Sequence, residues 1–204
     1  MLFEFLYLSL ASFLFGLTQK IADDHHDEGM YLFRHSDIVF GILWGAFGFF
    51  LISYSPILQA AYLGPLLYWI YKGKIDCKEH KIAALIMFLG VAYSYEFLSA
   101  SIIPTLLIFA GYAIFDVIKK YSSTFRWFFH YRLHFHFVHI VYALSIGSLY
   151  GYTSLMFGLL GVYVGEKFGQ YILSQKMSTR KITFETGLEE IAEIKTNKQG
   201  KIHE

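Results

Sequence analysis

One cysteine, no internal repeat and a net charge of only +1 are what this 204-residue chain offers in place of several common signatures. A single thiol, Cys77, excludes an internal disulfide and a cysteine-rich zinc site, and reads as an ordinary cytosolic thiol. A net charge of +1, with acids interleaved among the bases, excludes the concentrated basic face that nucleic-acid phosphates require. The missing repeat counts against transporters built from two inverted halves. The opening residues Met1-Leu2-Phe3-Glu4 lack the basic region and small-residue cleavage site of a secretory signal, so the first apolar run is expected to persist as a helix.

What is abundant is apolar surface. Hydrophobic residues make up 55% and aromatics 20% of the chain, more than one soluble core of this size can bury. A hydrocarbon layer of about 30 Å takes roughly 20 helical residues, and seven runs approach that length: 2–18, 38–55, 57–71, 82–100, 101–118, 135–150 and 153–174. Long charged connections alternate with uncharged turns near Pro56, Ser101 and Tyr152. All 17 Lys and Arg residues then fall on one side, which the positive-inside rule makes cytoplasmic. The expected fold is an all-α polytopic membrane bundle of about seven transmembrane helices over residues 1–175. Its N-terminus lies outside and its C-terminus is cytoplasmic. In a prokaryote that membrane is the plasma membrane. Tyr31, Phe33, Tyr68, Trp69, Tyr71, Tyr121 and Trp127 sit near the run ends, where amphipathic rings favour the headgroup layer.

Glycines at 41, 45 and 48, and at 158, 161 and 165, predict close helix contacts through the second and seventh runs. The third run is short and holds Pro65, which breaks the hydrogen-bond ladder; it is either an upright crossing or a re-entrant segment. Residues 176–204 form a polar cytoplasmic tail. Thr186 to Glu189 fit a capping box, Leu188, Ile191 and Ile194 make one apolar stripe, and the end is expected to be disordered. A cytosolic partner would dock there.

The densest chemistry is Asp23-Asp24-His25-His26-Asp27-Glu28. Two carboxylates about 4 Å apart repel by about 1 kcal/mol in water and more beside lipid, so such a run calls for cations. On a continued helix, Asp23 and Asp27 share a face one turn apart. That spacing suits a divalent ion, Mg²⁺ or Mn²⁺ first, whereas imidazole from His25 or His26 shifts the expectation toward Mn²⁺, Fe²⁺ or Zn²⁺. A second cluster, His130, His134, His136 and His139, divides between two helix faces and lacks the paired histidines of membrane di-iron enzymes. Ionisable residues inside runs carry a default functional reading. Asp116 and Glu166 are the candidate general bases, and Glu166 is expected to face His134 or His139, with Lys167 facing Asp24. Glu96 belongs to the outer end of the fourth run.

Arg34, Lys74, Arg126 and Arg132 supply cations for phosphate oxygens. Acids that hold a metal opposite bases that hold phosphate are the ingredients of phosphoryl chemistry. The expected function is therefore a metal-dependent membrane enzyme, with Asp23, Asp24, Asp27, His80 and His134 at the metal, acting on a lipid or lipid-phosphate at the cytoplasmic leaflet. The alternatives are a divalent-cation or proton-coupled transporter and a non-catalytic scaffold. Neither the Asp-Gly-x-x-Ala-Arg run of CDP-alcohol phosphotransferases nor the Asn-Asp-x-x-Asp run of aromatic prenyltransferases occurs.

Overall fold

The computed structural model describes residues 2–28, 32–121, 133–146, 153, 155–156 and 158–175. The elements are α1 (Leu2–Glu28), α2 (Ser36–Tyr54), α3 (Pro56–Tyr71), α4 (Lys78–Tyr93), a 3₁₀ turn (Tyr95–Phe97), α5 (Leu98–Tyr121), α6 (Leu133–Ser145) and α7 (158–175). Among the described residues there is no strand. Three segments are long and apolar enough to cross a membrane: Phe3–His25, Ser36–Tyr54 and Tyr95–Tyr121. Ile103, Leu106, Leu107 and Ile114 on α5 stay exposed, an apolar belt that water does not favour but lipid does.

Local chemistry sets the boundaries. Ser55 caps α3 by accepting from the Leu58 N–H at 3.3 Å, and Pro56 occupies the first helical position, where its missing N–H costs nothing. α1 runs through the acidic segment to Glu28, about ten residues past its apolar run. The turn expected near Ser101 lies earlier, at Ser94 to Phe97. There Ser94 returns its hydroxyl to the Gly90 carbonyl at 2.8 Å and ends α4, while Ser101 is buried inside α5 and donates to Gln59. Glu96 is exposed in that turn, at the end of the bundle opposite the charged layer.

Contact registers show that successive helices alternate in direction. At one end Glu4 meets Tyr54, and Gln59 bonds Ser94 at 3.0 Å. At the other, His25 meets Ser36 at 3.1 Å and Asp23 meets His80 at 3.1 Å. α2 and α4 run parallel, as do α3 with α5 and α1 with α7. Two of these seams require glycine. A Cβ at Gly165 would sit 2.0 Å from the Phe13 carbonyl oxygen, and one at Gly41 would sit 2.9 Å from the Glu79 Cα. The glycines of the second and seventh runs thus serve two separate seams rather than one shared centre. Leu8, Phe15, Trp44, Leu51, Tyr62, Leu66 and Met87 fill the core between them.

α3 is a continuous helix through Pro65. Pro65 offers no N–H to the Ala61 carbonyl four residues back. His139 of α6 fills the gap, its Nε2 lying 3.0 Å from that oxygen. A carbonyl only accepts, so Nε2 carries the proton, and Nδ1 lies 3.0 Å from the Tyr112 hydroxyl.

Candidate functional site

Helix α1 extends its last turns beyond the apolar run and lays Asp23 against the start of α4. The Asp23 Oδ1 is 3.1 Å from His80 Nε2. The other ring nitrogen, Nδ1, is 2.8 Å from the Lys74 carbonyl and 3.4 Å from Asp76 Oδ1. Below the ring lies the indole of Trp44, edge-on at 5.5 Å. With acceptors at both nitrogens, His80 is held as an imidazolium. Burial by itself lowers its pKa, but Asp23, the Lys74 carbonyl and Asp76 outweigh burial and leave it raised above the usual histidine value.

Asp24 points elsewhere. It is 8% exposed and forms an ion pair with Lys20 one turn back, not with Lys167. Lys167 instead donates to Gln170 at 3.2 Å and lies over the Tyr163 ring. His25, 1% exposed, bonds Ser36 and packs edge-on against Phe40 at 5.6 Å. It therefore joins α1 to α2 and is not directed at solvent. Asp27 lies on the helical backbone one turn after Asp23, but its side chain and that of His134 fall outside the described ones, as do Arg126 and Arg132 altogether.

The basic candidates form a rim. Arg34 and the Lys74 side chain are exposed, and neither has an ion-pair partner among the described residues. Asp116 is held by Lys72 in a half-exposed ion pair across α3 and α5, with Tyr68 beside it. The ion pair ties the end of α3 to α5. Glu166, half-buried on α7, faces Tyr112, whose hydroxyl bonds His139.

No protein-family model, no curated protein and no solved structure matches the chain. The reading of the site therefore stands on its own chemistry. Sequence reasoning overlooked the polar knot at the opposite end, where fully buried Gln59 bonds Ser94 and Ser101. A glutamine inside an apolar run was the available signal. It also overlooked the grouping of Asp76, Cys77 and His80, whose ligand atoms lie within 4.8 Å of one another. The Cys77 thiol is pushed up to about 12, chiefly by burial, with Glu79 and Asp76 adding to it, so without a metal it stays protonated.

Proposed function

We propose that the chain is a multi-pass membrane protein whose seven helices all cross the bilayer, N-terminus outside, and whose charged end works at the cytoplasmic leaflet on a phosphate-bearing lipid headgroup. The alternation of helix directions supports the crossing count, and the one-sided distribution of Lys and Arg supports the orientation. The observation that carries the functional reading is the Asp23–His80 contact. It brings the acidic end of α1 against the start of α4 and the Lys74 carbonyl, and the exposed Arg34 and Lys74 side chains have no ion-pair partner among the described residues.

In this reading a hard divalent ion, Mg²⁺ or Mn²⁺, bridges the headgroup to carboxylates at positions 23 and 27, which share a helix face one turn apart. Asp23 engages His80 through Oδ1, leaving Oδ2 for the ion. Arg34 and Lys74 take the remaining phosphate charge. Native mass spectrometry of the protein from mild detergent with phosphatidate, with and without Mn²⁺, tests the assignment. Metal-dependent lipid retention that Asp27→Asn abolishes is expected; equal retention without metal sinks it.

A second reading, ion or proton translocation, is favoured by one feature. Asp116, Tyr68, Tyr112 and His139 form a succession of polar groups along α3, α5 and α6, with Glu166 at its side. Flux of protons into liposomes that Glu166→Gln blocks would select it.

A further inference from the structure

We propose that Asp76, Cys77 and His80 form a second metal site, distinct from the hard-ion site of α1, that takes a borderline-soft divalent ion, zinc first. The donor set is one carboxylate oxygen, one sulfur and one imidazole nitrogen, with all three atoms within 4.8 Å of one another. Tetrahedral zinc, with bonds of about 2.0–2.3 Å, separates its ligands by roughly 3.4–3.7 Å, so the group closes with a shift of about 1 Å. Asp76 is exposed, and its Oδ1 already lies 3.4 Å from His80 Nδ1, within the ligand spacing of such an ion. Sulfur and imidazole together select zinc over magnesium or calcium.

The orientation of His80 is the second argument. Its Nδ1 faces Asp76 at 3.4 Å and the Lys74 carbonyl at 2.8 Å. Its Nε2 faces Asp23. Metal-binding histidines commonly coordinate through one nitrogen and donate the other N–H to a carboxylate, which fixes the ring and raises its basicity. Asp23 stands in that position, delivered from a different helix. The Nδ1 proton occupies the place where the ion would sit, and the Lys74 carbonyl, 2.8 Å from Nδ1, offers a fourth donor. Loading releases this proton and the thiol proton, and leaves Nε2–H bonded to Asp23.

The ion would tie the α3–α4 connection to the first turn of α4 and, through Asp23, to α1. Asp23 is thus a positioning residue for this site.

The test is titration of the full-length protein in detergent with Co²⁺, followed by absorption and then by competition with Zn²⁺. One equivalent with a near-ultraviolet thiolate-to-cobalt band is expected. Cys77→Ser should erase the band, and Asp23→Asn should weaken binding about 10- to 100-fold while keeping it. Asp27→Asn should leave it intact. Cys77→Ser should in turn leave Mn²⁺-dependent phosphatidate retention intact, so that failure of one site is separable from failure of the other. A folded wild type without the band, or a band that survives Cys77→Ser, overturns the proposal. Unchanged affinity in Asp23→Asn overturns the role given to that carboxylate.

Discussion

Replacing His139 by Phe removes two hydrogen bonds at once, one to the Ala61 carbonyl and one from the Tyr112 hydroxyl. Ala61 and Tyr112 are 2% and 3% exposed, so no water replaces the lost partner. Each orphaned buried group costs about 1–3 kcal/mol in a soluble protein, whereas hydrogen bonds between helices in lipid average about 0.6 kcal/mol. A loss of about 2–3 kcal/mol lies between these limits, and corresponds to a fall of roughly 4–12 °C in thermal midpoint for a chain of this size. The informative control is Pro65→Ala, which restores the backbone N–H that Ala61 lacks. In that background His139→Phe removes only the contact with Tyr112, so its cost should shrink by about 1–2 kcal/mol. Four proteins followed by circular dichroism during heating in detergent complete the cycle. Equal cost of His139→Phe in both backgrounds would refute the assignment of the imidazole to the proline gap.

Other expectations follow from particular contacts. With chelator present, the raised pKa of His80 gives stability that is fully present below the ordinary histidine value and disappears as pH rises through the folded one. Thermal midpoints should therefore fall as pH rises above about 6.5, and Asp23→Asn should flatten that dependence. Gly165→Ala forces a Cβ into the backbone of α1 and should cost about 1–3 kcal/mol, whereas Gly158→Ala meets only ordinary contact at 3.4 Å and should be tolerated. Lys72→Ala breaks an ion pair whose partners are 36% and 37% exposed, so its midpoint should move by no more than about 1 kcal/mol implies. A large loss there would mean that Asp116 is more than a surface partner. Alkylation of Cys77 near pH 7.5 should be much slower than that of free cysteine, because its thiol is held at about 12.

The apolar runs made the helices legible, because hydropathy reports the solvent each segment faces. The run over 57–71 matches α3 to within a residue, and serine and proline at its start fix that boundary chemically. The turn after α4 was misplaced because 82–118 is apolar almost throughout, and hydropathy does not register a serine that caps a helix within such a stretch. The acidic run was legible as a dense group of ionisable residues, but which of its members meets which partner was not. Whether Asp23 or Asp24 meets His80 depends on about 100° of helix rotation, set by the packing of α1 on α2 and α7. Likewise the histidine cluster was visible as a cluster, while the task of His139 depends on a proline in a different helix.

Ala61 precedes His139 by 78 residues. At about 5–20 residues per second, roughly 4–16 s of synthesis separate the two. During that interval α3 holds an exposed backbone acceptor in whatever surroundings it has entered. Arrival of α6 removes the defect, so the bundle carries its own signal of completion. A chain halted before α6 would present the unfinished carbonyl to the machinery that disposes of incompletely assembled membrane proteins.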